Sequence, residues 1–164
     1  MALFRKKPQP PGDATYIGLR SMALQAVENG LAAPSPAHPM VSGVLVDIPA
    51  QGGFATLVAL TDDTTSLYTS VGGGTIGAGQ HPPVARATHA LLSEAQQHLE
   101  AISEVDDGAL PPPEKVRIHV LTPSGTRYVD VAEDSYWGRQ PSPLMPLIAA
   151  AQNLTTAMRQ ASPS

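Results

Sequence analysis

The segment Val84–Val105, VARATHALLSEAQQHLEAISEV, decides the fold class because its side chains follow a helical period. One stripe recurs at steps of three or four residues and comprises Val84, Thr88, Leu91, Ala95, Leu99 and Ile102. The charged residues Glu94, Glu100 and Glu104 lie off this stripe. The pattern predicts a long amphipathic helix that packs one face on the rest of the chain.

Three short segments before this helix have the composition of β-strands. They are Val41–Ile48, Phe54–Leu60 and Thr65–Val71, and they are rich in β-branched and apolar residues. The turns Pro49–Gly53 and Asp62–Thr64 separate them. Connections this short join antiparallel neighbours, so we expect these strands to be consecutive in one sheet.

A second hairpin is predicted after the helix. Apolar residues of Val116–Val120 alternate with Arg117 and His119, and a tight turn at Thr122–Gly125 leads into a similar alternation over Thr126–Val131. Such alternation is typical of strands with one face in the core and the other in water. Arg117 and His119 are therefore expected on the wet face.

Helices are also predicted at both ends. Asp13 is placed to cap a helix over Ala14–Asn29, with Gly30 at its C-terminal end. The last helix begins close to Pro146, after the cap residue Ser142, since proline is tolerated only in the first turn.

These elements predict an α+β fold in the order α-β-β-β-α-β-β-α. An antiparallel sheet of about five strands would have one face covered by helices. Residues 13–161 are expected to form a single domain, and residues 1–12 a flexible basic tail.

This order of elements, together with the small size and acidic charge, resembles the class I type III secretion chaperones and their relatives. The resemblance covers nearly the whole chain as topology. It implies a homodimer in the cytoplasm that holds a segment of an effector protein along its surface.

Composition excludes several kinds of chemistry. The chain has 164 residues and no cysteine, which excludes disulfides, thiolate nucleophiles, cysteine zinc sites and iron–sulfur clusters. Its formal net charge of -4 argues against a nucleic-acid partner, because duplex binding depends on many basic side chains. No apolar run approaches the roughly 20 residues of a membrane span, and the charges follow a short apolar stub at the N-terminus, the reverse of a secretory signal. We expect no membrane association and a cytoplasmic location.

The glycine-rich segment Val71–His81 is the strongest local signal, and its candidate binding residues are Gly72, Gly73, Gly74, Thr75, Gly77 and His81. Its spacing satisfies G-x-G-x-x-G, which favours phosphate binding when it opens a helix. Pro82 and Pro83 remove two N–H donors from the expected first helical turn, and the antiparallel context differs from a dinucleotide-binding unit. A backbone hinge is the main interpretation, with a phosphate or small-ligand site as the alternative.

No catalytic, cofactor or metal site is predicted. The five histidines show no metal-ligand spacing, and Ser70 beside the glycines has no recognisable base other than His81. Adjacent carboxylates occur only where turns or strand ends are expected, and acidic residues are ordinary turn formers there.

Tyr136 and the sole tryptophan, Trp137, lie side by side with Arg139 close by. Aromatic residues with an arginine are typical anchors of a protein interface. The alternative is that Trp137 closes one end of the core. The sequence thus favours a non-catalytic protein-binding module over a small-ligand or enzymatic domain centred on the glycines, and it identifies no partner.

Overall fold

A computed structural model describes residues 12–161 of the chain as a mixed α+β fold built on one antiparallel sheet. The helices are α1 (Ala14–Leu24), α2 (Pro82–Gln97), α3 (Glu133–Tyr136) and α4 (Met145–Ala161). The strands are β1 (Gly43–Ala50), β2 (Gly53–Leu60), β3 (Thr65–Thr69), β4 (Gly74–Thr75), β5 (Glu104–Val105), β6 (Lys115–Thr122) and β7 (Gly125–Ala132). Short 3-10 helices cover Ala78–Gln80 and Leu99–Ala101.

The sheet has 7 strands in the order β4-β3-β2-β1-β6-β7-β5. Tight turns join β1 to β2 and β6 to β7, and Gly52 supplies a positive φ of 81° in the first of them. The two hairpins meet at the centre of the sheet, where β1 pairs with β6 and Val44 lies opposite Val120.

Both faces of the sheet are covered. One face packs Val46, Leu57 and Ile118 against α2 and α4, in the larger core cluster. On the other face Leu45 and Val58 pack with residues of α1 in a second cluster. The prediction of one covered face was therefore wrong, because β6 is a central strand that lies between two layers.

Arg117 and His119 are consequently buried rather than wet. Their alternation with apolar residues correctly indicated a strand. The pattern could not show that α1 and the loop after β5 cover the face on which they lie.

The long helical segment is shorter than predicted. The helix α2 ends at Gln97, and the backbone N–H and ring Nδ1 of His98 both donate to the carbonyl of Glu94. Ile102 lies beyond the end of the helix but is fully buried in the core, as its place in the apolar stripe predicts. Similarly, α1 ends at Leu24, and the segment to Gly30 forms turns.

The predicted α+β fold with an antiparallel sheet is confirmed, but the number of strands and the element order differ in detail. The elements α3, β4 and β5 were not predicted, so the sheet has 7 strands instead of about five. With two residues each, β4 and β5 are too short for a period to be visible. Pro49 was assigned to a turn but pairs with Phe54 within the first hairpin. The predicted Asp13 cap is confirmed, because its carboxylate accepts from the Tyr16 backbone N–H.

The predicted basic tail lies outside the described residues apart from Gly12. Between residues 12 and 161, no helix combines the length and apolar character needed to cross a membrane.

Candidate functional site

The glycines after β3 form the turn between β3 and β4. Gly72, Gly73 and Gly74 have φ values of 102°, 88° and 146°, a region that residues with a Cβ rarely adopt. Thr69 closes the turn: its hydroxyl donates to the Gly72 carbonyl at 2.5 Å, and its N–H donates to the Gly73 carbonyl at 3.1 Å.

Two glycines are also required by close packing. A Cβ at Gly74 would lie 2.1 Å from the carbonyl oxygen of Leu67, and one at Gly79 would lie 1.7 Å from that of Asp63. Glycine therefore allows this segment to lie against β3 and the preceding turn. These positions have a structural role that requires no bound ligand.

The first turn of α2 is a poor anion site. Pro82 and Pro83 occupy its first two positions and have no N–H to donate. The N–H of Ala85 already donates to the His81 carbonyl, and the N–H of His81 donates to the Ala78 carbonyl. The helix start thus offers few amides to a phosphate.

Ser70 and His81 do not form a catalytic pair in this structure. The Ser70 hydroxyl is buried and accepts the Phe54 backbone N–H at 2.8 Å. His81 is exposed, and no hydrogen bond joins the two described side chains. Ser70 instead ties the end of β3 to β2.

A groove lies where β3 and β4 meet α4. It measures about 190 Å³ and is lined by Leu67, Thr75, Thr155, Met158 and Arg159. Two aliphatic side chains flank β4 in the chain, and Val71 is 68% exposed and Ile76 69% exposed. Of the five residues that line the groove, only Thr75 was among the candidate binding residues, because the groove is formed by elements far apart in the chain.

Tyr136 and Trp137 differ in burial although they are neighbours in the chain. Tyr136 is buried, and burial raises the pKa of its hydroxyl. The Trp137 ring is 45% exposed and packs edge-on against Tyr136, with ring centroids 5.1 Å apart. Tyr136 therefore closes the core, and Trp137 lies at the surface beside it.

Arg139 lies near this pair in an exposed ion pair with Asp134, at 2.9 Å. Both residues line a polar cleft of about 430 Å³ that also contains Glu114, Lys115 and Glu133. The cleft carries charges of both signs, so it does not favour a ligand of either charge.

A buried ionic network, which sequence analysis missed, crosses the α1 face of the sheet. Arg20 donates from Nε and Nη2 to the two carboxylate oxygens of Asp47, at 3.1 and 2.7 Å. The hydroxyl of Thr56 donates to the same carboxylate at 2.8 Å, and the Tyr16 hydroxyl lies 2.7 Å from that of Thr56. Both carboxylate oxygens of Asp47 thus accept hydrogen bonds.

His119 continues this network between two carboxylates. Its Nε2 lies 2.6 Å from Asp47 Oδ2, and its Nδ1 contacts Asp106 Oδ2. Burial alone would raise the pKa of Asp47, but hydrogen bonds from His119 and Arg20 and their charges hold it well below its usual range.

The network is isolated from solvent. The side chains of Asp47, His119 and Asp106 are all at most 1% exposed. No substrate can reach them without movement of the covering loop, so the arrangement acts structurally in the conformation described. The one sequence signal was Asp47 itself, an acidic residue inside an otherwise apolar strand.

Two further histidines, His38 and His89, contact each other on the α2 side of the sheet. His38 Nε2 is 2.9 Å from His89 Nδ1, and His89 Nε2 is 2.6 Å from Asp63 Oδ1. These groups form a chain rather than converging on one point. Among the described residues, no group of three or more histidine or acidic side chains is arranged to hold a metal ion.

Comparisons with known proteins give no relative from which a role could be transferred. No family model matches the chain, and neither does any curated protein or solved structure.

Proposed function

We propose that this chain is a non-catalytic protein-binding module that accepts an extended segment of a partner protein beside β4. The observation that carries the proposal is the groove between β3, β4 and α4. Two exposed aliphatic side chains, Val71 and Ile76, come before and after β4 in the chain. We call β4, these two residues and the groove the β4 edge.

The backbone at the β4 edge suits strand addition. As the last strand in the order, β4 has a strand neighbour on one side only. An extended peptide can pair with such an edge through main-chain hydrogen bonds, and adjacent pockets then select its side chains. The short length of β4 limits self-pairing, a common means of protecting an edge.

The size of the groove favours a side chain over a small molecule. Small-molecule pockets usually measure about 300–1,000 Å³, whereas this groove measures about 190 Å³. The side chains of Leu67 and Met158 supply apolar surface. An aliphatic side chain of the partner would bury its surface against them.

Arg159 determines the charge expected of the partner. It is exposed in the groove, and the other four lining residues are uncharged. An arginine guanidinium pairs well with a carboxylate. The preferred segment therefore carries an acidic residue near the aliphatic side chain.

An enzymatic role has less support. Asp47 and His119, whose pKa values are shifted by their buried contacts, are inaccessible to solvent. The Ser70 hydroxyl accepts a backbone N–H. The alternative of a small-ligand site at Gly72–His81 is disfavoured by the conformational and packing roles of its glycines.

The resemblance to secretion chaperones is consistent with this proposal, since those proteins hold an extended partner segment. That resemblance, the homodimer and the cytoplasmic location stay predictions. So does the binding role of Trp137 and Arg139.

The proposal can be tested by selecting peptides from a displayed random library against the full chain. We expect enriched peptides with an aliphatic residue close to an Asp or Glu. Ile76→Asp should weaken their binding at least about tenfold, because a buried carboxylate without a partner costs more than 1.4 kcal/mol. Val105→Asp is the matched control, since Val105 is 85% exposed on the strand at the opposite end of the sheet.

The charge assignment has its own test. The acidic residue of the selected peptide is changed to its amide, alone and together with Arg159→Gln. The two changes should be non-additive if the groups pair. Enriched peptides that bind Ile76→Asp as well as the original chain would contradict the proposal. Conversion of a dimer to a monomer by Ile76→Asp would also contradict it and assign the β4 edge to a second copy.

A further inference from the structure

We propose that residues 104–109 form a proton-held strap across the sheet, closed while His119 carries a proton on both ring nitrogens and released when it loses one. The strap lies at the opposite end of the strand order from the β4 edge. The inference is therefore independent of the proposed binding function.

Hydrogen-bond geometry requires both ring protons. Each ring nitrogen of His119 faces a carboxylate oxygen, Asp47 on one side and Asp106 on the other. An ionised carboxylate only accepts hydrogen bonds, so both nitrogens must donate. A neutral imidazole would turn a lone pair toward one of the carboxylates.

The charges balance only with this protonated ring. Two carboxylates contact His119, Asp47 of β1 and Asp106 of the strap. The other polar and charged groups of the surrounding elements are Tyr16 and Arg20 of α1, Thr56 of β2, Glu104 of the strap, Arg117 of β6, and Tyr128 and Asp130 of β7. Glu104 is exposed, so water screens its charge. Arg117 pairs with Asp130. The positive Arg20 and His119 then balance Asp47 and Asp106, and loss of the proton leaves one buried negative charge in excess.

The strap is the element expected to detach from the sheet when His119 loses a proton. Its strand β5 has only two residues, opposite Tyr128 and Arg127, and Val105 in it is exposed. Beyond β5 the Asp106 carboxylate contacts His119, and the Asp106 N–H donates to the Thr126 carbonyl at 3.0 Å. The Gly108 carbonyl accepts from Arg20 at 2.8 Å, and the Ala109 carbonyl accepts from Arg117 at 3.2 Å. Little apolar burial supports these polar contacts.

The pH window follows from the environment of His119. Burial lowers the pKa of the imidazole, but the hydrogen bonds to Asp106 and Asp47 and their charges outweigh burial and raise it above 6.5. The protonated His119 ring therefore stabilises the closed strap fully below about pH 6.5. This stabilisation is lost as the pH rises through the folded-state pKa of His119. Release uncovers the backbone edge of β7 at Arg127 and Tyr128.

The first test is nitrogen-15 NMR of the His119 ring in the full chain. We expect both ring nitrogens to be protonated at pH 6, whereas burial without the two carboxylates would favour a neutral ring. A single protonated nitrogen at pH 6 would overturn the proposal without any variant.

The second test measures hydrogen exchange of the amides of residues 104–109 between pH 6 and 10, corrected for the intrinsic rate. Above the His119 pKa, protection should fall by up to about tenfold per pH unit. Asp106→Asn should abolish this fall, because its amide N–H can donate to a singly protonated ring. Asp107→Asn, the matched change on the neighbouring residue, should behave as the original chain does.

Two results of the exchange experiment would overturn the proposal. One is strap protection that does not change with pH in the original chain. The other is an Asp106→Asn variant that loses protection with pH as the original chain does.

Discussion

Arg20 and Asp47 form a bidentate ion pair that joins α1 to the central strand β1, with both side chains at most 3% exposed. The pair lies on the side of the sheet where α1 packs with Leu45 and Val58. It fixes the position of α1 by directed hydrogen bonds, where apolar packing alone would allow the helix to shift.

Removing the charge of Asp47 should destabilise the fold strongly. Asp47→Asn leaves Arg20 and His119 without their carboxylate, and breaking a buried pair typically costs about 3–5 kcal/mol. Urea unfolding followed by circular dichroism measures the change. Asp134→Asn is the control, because it breaks the exposed pair with Arg139 and should cost no more than about 1 kcal/mol. Equal losses in the two variants would refute the structural role assigned to Asp47.

The contribution of Asp47 should disappear in acid. Its folded-state pKa is held below the ordinary 3.8, so the stabilisation is present above about pH 3.8 and is lost as the pH falls below it. The difference in unfolding free energy between the original chain and Asp47→Asn should therefore narrow from pH 6 toward pH 2. A difference that stays constant over this range would show that the charge of Asp47 is not what stabilises the fold.

Glycine substitutions should separate close packing from conformational freedom. Gly79→Ala places a Cβ 1.7 Å from the Asp63 carbonyl oxygen, so neighbouring backbone must move at a cost of about 1–3 kcal/mol. Gly18→Ala lies in α1 with nothing within 4 Å of the new Cβ and should stabilise the chain by about 0.5–1 kcal/mol. Thermal unfolding should give a lower melting temperature for Gly79→Ala and a higher one for Gly18→Ala than for the original chain. Similar changes in melting temperature for the two variants would contradict the packing argument at Gly79.

The sequence contains the order of the main elements because hydrophobic period and turn residues are local signals. The hairpins and the apolar stripe beginning at Val84 were predictable on this basis. The burial of His119 was not, since it depends on Asp47 and Asp106, which lie 72 and 13 residues away in the chain.

The β4 edge was predictable only in part. The glycines marked a bend, and the structure places Thr75 in the groove. The contribution of Met158 and Arg159 depends on where the C-terminal part of α4 lies beside β3 and β4. No local pattern in the last helix indicates that position.

The central claim is that a partner segment binds at the β4 edge, and amide chemical-shift mapping tests it most directly. The nitrogen-15-labelled chain is titrated with a selected peptide that carries an aliphatic and an acidic residue. The account predicts shifts concentrated in residues 65–76 and 155–159. Shifts concentrated instead around Tyr136, Trp137 and Arg139, or over residues 104–109, would contradict it.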